Sequence, residues 1–260
     1  MYCKDQLRES SLYVRKWISR QPHVNEESIT DWLLFEIEDK IPGVYYTAFT
    51  HDEDAKITGA DWEWWFIFHQ YSIRLRIQAK KLKEERNNYN SIAYKNAYGF
   101  QIDKLLDDAQ VKNYIPLYAL YVSRVKDTKC GRNITDEGGY LAGAKMIKDK
   151  FIVNGATRVS AKDLLSESIP LSCLCGCPNA DLRSLSPMKR LFQRYFKSKL
   201  RFLRENSDIN SYFSHEKLPK YVEAFLDCQA SDEQIENWEE SYKDEISGFK
   251  ALLVFDTRRL

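Results

Sequence analysis

The sequence predicts an α/β protein: a mixed β-sheet flanked by helices, followed by a mainly helical C-terminal extension. Three observations predict it. Between residues 26 and 122 the apolar periodicity passes from helix to three strands, back to helix, and on to a further strand. Hydrophobic residues make up 43% of the chain and aromatics 13%, which suffices for a buried core and exceeds what a disordered chain carries. Beyond residue 126 the pattern is mostly helical again. We divide the chain into an N-terminal helix (1–23), a core (24–125) and an extension (126–260) packed on the core as one unit.

Each element has its own signal. Residues 5–20 place Leu7, Val14 and Ile18 on one helical stripe, and Pro22 ends that helix. Asn25 is placed to cap a second helix, 26–40, where Ile29, Leu33 and Ile37 recur at helical spacing and acids crowd the first turn. Pro42 and Gly43 stop it. Residues 44–50 (VYYTAFT) are β-branched and aromatic, so a strand follows. After a polar loop, 61–68 (DWEWWFIF) reads as a second strand. A short turn leads to a third, 73–82 (IRLRIQAKKL), with strict alternation. Residues 98–110 form a helix with Phe100, Ile102, Leu105 and Leu106 as its apolar members, and 115–122 (IPLYALYV) is a buried strand. In the extension we expect helices at 136–149, 160–167, 186–205, 216–228 and 232–246. A last strand at 250–255 can join the sheet.

Charge and cysteine usage narrow the class. The net charge is +1, but it is unevenly spread. From residue 183 to 204 there are eight Lys or Arg and no acid, whereas 227–245 holds eight acids and one Lys. Such polarity fits a polyanion binder, and equally two solvated amphipathic helices. The basic helix at 186–205 offers Lys189, Arg190, Arg194, Lys197 and Arg201 as phosphate contacts. No apolar run is long enough to span a bilayer, and the charged N-terminus lacks a signal segment. The expectation is a soluble, cytoplasmic protein with reduced thiols. Cys173, Cys175 and Cys177 alternate, and Cys228 or His215 could close a structural zinc site with them. That spacing is not a standard finger, so buried thiols are the preferred reading.

Strand period identifies the residues with chemistry. Asp61 and Glu63 point to one side of the second strand; Arg74, Arg76, Gln78 and Lys80 share one face of the third. A short connection makes the two strands antiparallel neighbours. Asp61, Gln78 and Lys80 then meet at one sheet edge. A carboxylate and an amide oxygen suit Mg²⁺ or Mn²⁺, and an ammonium group suits developing negative charge. Glu63 or Glu27 could complete the carboxylate set. His51 and His69 flank the motif strand and read as loop histidines. Trp62, Trp64 and Trp65 could stack on bases but read as core.

Gly59-Ala60-Asp61 opening one strand and Ile77-Gln78-Ala79-Lys80 closing the next resemble the PD-(D/E)XK nuclease superfamily, over about residues 24–125. The closer likeness is to its branch with Gln in the D…QxK motif, seen in methyl-directed restriction enzymes. The resemblance implies a restriction-endonuclease-like α-β-β-β-α-β core and a Mg²⁺- or Mn²⁺-dependent endonuclease. Catalytic residues would be Asp61, Gln78, Lys80, Glu27 and Glu63, with Asp61, Gln78 and Glu27 on the metal. Many members take a Glu from the first helix; Glu27 is the best match and Glu36 the next. Tyr98 and Gln101 resemble a pair that some members place near the site. The implied substrate is nucleic acid, DNA before RNA, in a prokaryotic restriction or antiviral defence role. A homodimer or a defence-system partner protein is compatible with it. Gln78 departs from the acidic pattern and removes one charge from the metal, which leaves open a catalytically silent nucleic-acid-binding or assembly module. An RNA-cleaving toxin is the third reading.

Overall fold

The computed structural model describes residues 2–49, 58–82, 87–97, 99–123, 136–175, 213–214, 217–228 and 231–259. Helices α1 (Tyr2–Arg20) and α2 (Glu26–Lys40) lead into β1 (Val44–Ala48). Then come β2 (Trp62–Ile67), β3 (Ser72–Lys81) and the two-residue strands β4 (Asn88–Tyr89), β5 (Lys95–Asn96) and β6 (Gly99–Phe100). Helix α3 (Gln101–Lys112) precedes β7 (Ile115–Tyr121) and β8 (Gly139–Gly143). Next are α4 (Ala144–Ile147), β9 (Val159–Ser160), α5 (Ala161–Ser166), β10 (Ile169–Pro170) and β11 (Phe213–Ser214). The last elements are α6 (Lys220–Asp227), α7 (Asp232–Ser241), α8 (Lys243–Ile246) and β12 (Ala251–Asp256).

One mixed sheet organises them, in the order β1-β12-β2-β3-β7-β8-β10, with β11 paired to β3. β2 and β3 are antiparallel, with Trp62 opposite Ile77; β3 and β7 are parallel. β12 is parallel to β2 and antiparallel to β1. The alternation of β3 explains its two environments. Ile73, Leu75, Ile77 and Ala79 face the layer of α1 and α2, together with Trp62, Trp64 and Phe66 of β2. The opposite face has two apolar clusters. One joins Tyr118, Leu120 and Val122 to Ile102 and Leu105 of α3. The other joins Trp65, Ile67, Leu252 and Val254 to Phe225 of α6 and Trp238 of α7. All three tryptophans of β2 are therefore core.

The structure corrects several expectations. The helix expected at 136–149 starts only at Ala144: Gly139–Gly143 is a strand, antiparallel to β7. Its small residues let α1 approach closely. A Cβ on Gly138 would lie 2.3 Å from the backbone nitrogen of Arg15, and Ser11 Oγ accepts from the Gly139 N–H at 2.9 Å. The extension is also less separate than its helical pattern implies, because β8, β10 and β12 all belong to the main sheet. The expectation of reduced thiols is corrected at one pair, Cys3–Cys175, which is disulfide-bonded. Packing of α1 along the turn at 171–175 brings their Cα atoms to 5.9 Å, within the ordinary range for a disulfide. That bond takes Cys175 out of any zinc set with Cys173, which is itself buried. Cys177, His51, Tyr98, His215 and the expected basic helix with Lys189, Arg190, Arg194, Lys197 and Arg201 lie outside the described residues.

Candidate active site

The site forms where β2 and β12 begin and β3 and β7 end. Antiparallel pairing of β2 with β3 places Asp61, just before β2, beside the end of β3. The Asp61 N–H donates to the Ile77 carbonyl at 2.7 Å, which fixes its backbone in register. Its Oδ2 then accepts from the Ala79 N–H at 2.6 Å and from the side-chain amide of Gln78. Gln78 is 2% exposed and Lys80 5%.

Two helix N-termini bracket this point. α2 brings in Glu26, whose Oε2 accepts from the Lys81 N–H and whose Oε1 lies 3.5 Å from Lys80 Nζ. α3 brings in Gln101, whose Nε2 donates to Gln78 Oε1 at 2.5 Å. The turn before Asp61 makes the second approach feasible. Gly59 has φ +72°, and a Cβ there would lie 2.4 Å from the Gln101 carbonyl oxygen. Both conditions require glycine. Thr58 donates its hydroxyl to the Gly248 carbonyl, and the Lys250 N–H donates to the Asp61 carbonyl at 2.8 Å. The start of β12 is thereby tied to the same turn.

A cleft of about 210 Å³ opens beside Asp61. Glu26, Glu27, Thr30 and Asp31 of α2 line it, with Phe49, Ala79 and Lys250. It is acid-rich, and the acids feel one another. Burial pushes the Asp61 carboxyl up to about 6, with the charge of Glu26 adding to the rise against the opposing pull of Lys80, the Ala79 N–H and Lys250. Asp31 is raised as well, by burial and then by Glu27.

Three of the residues named from the sequence, Asp61, Gln78 and Lys80, are brought together. Glu27 lines the cleft but its side chain is 72% exposed and pairs with Lys250 at 2.9 Å. The α2 carboxylate beside Lys80 is that of Glu26. Glu36 pairs with Lys40 one turn from the helix end. Glu63 is not part of the cleft. It is fully buried, accepts from Trp65 Nε1 and the Tyr221 hydroxyl, and lies 3.2 Å from Arg76 Nη2. His69 is exposed in the turn between β2 and β3. Sequence reasoning missed Glu26 and Lys250. An acid next to Glu27 at a helix start was a visible signal for the first. Nothing local marks the second, since its place depends on where β12 enters the sheet.

Among the described residues, no three carboxylate, imidazole or thiol side chains stand together as a cation cage. The donor set next to Lys80 is one carboxylate and one amide, and a hard cation that keeps several waters needs no more than that from a protein. The buried Gln101 Oε1 has no hydrogen-bond partner, so the amide pair behind Asp61 has an unused acceptor. An oxygen-ligated divalent cation would fit at Asp61 and Gln78 once the Gln78 amide is turned, since here its Nε2 faces Asp61 and its Oε1 faces Gln101.

Fold and site define an α/β protein with a mixed sheet and a polar, acid-rich cleft at one sheet end. The chain belongs to a family of unknown function, DUF6615, whose model matches residues 3–257. No curated protein matches the sequence. No helix among the described residues is long and apolar enough to cross a membrane.

Proposed function

We propose that this protein is a divalent-cation-dependent nuclease that hydrolyses phosphodiester bonds, with DNA the preferred substrate and prokaryotic restriction or antiviral defence the role. The observation that carries this reading is the contact of Asp61 with Gln78 at the sheet end that also holds Lys80 and Glu26. It is the arrangement that the D…QxK resemblance implies. The α-helix, three strands, α-helix, strand order from α2 to β7 supports the same reading, setting aside the two-residue strands.

In this reading Asp61 and Gln78 hold Mg²⁺ or Mn²⁺. When bound, the cation neutralises phosphate charge and acidifies a water. The chain's own groups do the rest. Lys80 is held by Glu26 at the end of β3, so its ammonium group is positioned before substrate arrives. Lys250 lies across the cleft on a solvated pair with Glu27. Such exposed pairs contribute only about 0–1 kcal/mol, so the Glu27 pair does little to hold Lys250 back from a substrate phosphate. The Ala79 N–H fixes the Asp61 carboxylate from behind.

The test is cleavage of labelled duplex DNA, single-stranded DNA and transfer RNA with Mn²⁺, with EDTA, and with Asp61→Ala. The expected result is metal-dependent cleavage of DNA that Asp61→Ala abolishes without loss of the folded state. Wild-type rates in Asp61→Ala would overturn the site. Cleavage confined to RNA would favour a toxin.

A second reading, a catalytically silent nucleic-acid-binding or assembly module, draws on one observation. Asp61, Glu26 and Glu27 are each already held by a hydrogen bond or an ion pair. Binding of nucleic acid with no cleavage under any metal would favour it.

A further inference from the structure

We infer that Gln101 is a positioning residue, and that it decides which atom of Gln78 faces Asp61. The inference rests on the proposed cation site and deepens it.

Two side-chain amides form a chain behind the carboxylate. Gln101 Nε2 donates to Gln78 Oε1, and Gln78 Nε2 donates to Asp61 Oδ2 and to the Ala79 carbonyl at 3.1 Å. Every donor points toward Asp61. At the far end, Gln101 Oε1 is buried without a partner. A buried acceptor left unsatisfied costs free energy, so the chain has reason to reverse when another arrangement becomes available.

A cation beside Asp61 makes that arrangement available. It needs oxygen from Gln78, and the oxygen is turned toward Gln101. A half-turn of the Gln78 amide presents Oε1 to the cation and Nε2 to Gln101. Nε2 is only a donor, so the Gln101 amide must turn as well and accept through Oε1. The orphaned oxygen is then satisfied. The two amides thus have two states matched to each other, the second at the cost of the Gln78 bond to the Ala79 carbonyl, and mixed states set donor against donor or acceptor against acceptor. Gln101 selects between them without touching the cation. Its position at the start of α3, against Gly59, fixes it within reach of Gln78.

An acceptor-only side chain at residue 101 should lock the cation-ready state. Gln101→Glu is expected to tighten Mn²⁺ binding by about tenfold, the worth of one buried hydrogen bond prepaid. Added negative charge would also tighten binding, so the measurement is a double-mutant cycle with Gln78→Glu. A Glu at residue 78 presents oxygen in either orientation, and Gln101→Glu should then bring no gain, because acceptor faces acceptor across that contact. Titration calorimetry on the four proteins, with Asp61→Ala as control, reads the cycle. Equal gains in both backgrounds overturn the inference and leave the cation site standing. No Mn²⁺ binding that depends on Asp61 in the wild type overturns both. If Gln101→Glu does not fold, the wild type still gives an answer. In protein labelled with ¹⁵N at glutamine side chains, Mg²⁺ should shift the amide resonances of Gln78 and Gln101 together. A shift of Gln78 alone overturns the coupling.

Discussion

The Asp61 carboxylate is half-buried, hydrogen-bonded from the backbone and crowded by Glu26. Its raised pKa has two consequences. The folded protein keeps the proton that the unfolded chain releases near the ordinary carboxyl value of 3.8. Stability therefore falls as pH rises from about 4 to about 6, and the full cost persists above that. Asp61→Asn should remove this slope, as urea midpoints across the range would show. Mn²⁺ bound as proposed at Asp61 would compete with the same proton. Its affinity should rise about tenfold per pH unit up to about pH 6 and then level off. A flat calorimetric profile would mean that another group holds the cation. Much of this site was legible beforehand, because strand period and a short turn together set the register that joins Asp61 to Gln78. The choice between Glu26 and Glu27 was not. Adjacent helical residues point roughly 100° apart, and only the docking of α2 decides which one meets Lys80. Glu63 was misplaced for a related reason. It shares the side of Asp61, yet it stands two residues along the strand, roughly 7 Å away, opposite Arg76.

Elements show the same division. α2, β2, β3, α3 and β7 carry strong local periodicity and fall where the sequence puts them. β8 does not, because Gly-Tyr-Leu-Ala-Gly is too short and too small-residued to show a strand period, and its strand character comes from neighbours on both edges. Close approach without a side chain also governs how α3 meets the site. Gly59→Ala should be costly for two reasons: a left-handed φ, about 1–2 kcal/mol, and a Cβ that collides with the Gln101 carbonyl. We expect lower thermal stability together with weakened Mn²⁺ binding, because α3 must move and take Gln101 with it. Unchanged metal affinity in a destabilised Gly59→Ala protein would mean that the position of Gln101 does not matter to the site.

At the scale of the whole molecule, the C-terminal helices are fastened to the sheet by buried polar groups as well as by apolar contact. Glu63 receives Tyr221 of α6, and Arg76 spans Glu63 and Asp108 while stacking on Tyr114 and Phe249. Burial raises the Tyr221 hydroxyl well above its usual range, with Glu63 adding to the effect, so it remains a donor. Glu63→Leu should cost about 3–5 kcal/mol, because it leaves the Arg76 charge buried beside Asp108 alone. Adding Arg76→Met should recover part of that loss, as denaturant unfolding of the single and double variants would show. Long-range order of this kind leaves little trace in a sequence, since Glu63 and Tyr221 are 158 residues apart.

β12 has a consequence in time. It lies between β1 and β2, yet it is made after all the other strands. Synthesis runs from the N-terminus, so β1 and β2 emerge with a strand-wide gap between them that no earlier segment fills. Until residues 250–256 leave the ribosome, one wall of the cleft, with Lys250 and Ala251, is missing. A chain that stops short of β12 would then carry Asp61 and Gln78 beside a cleft that is open on that side.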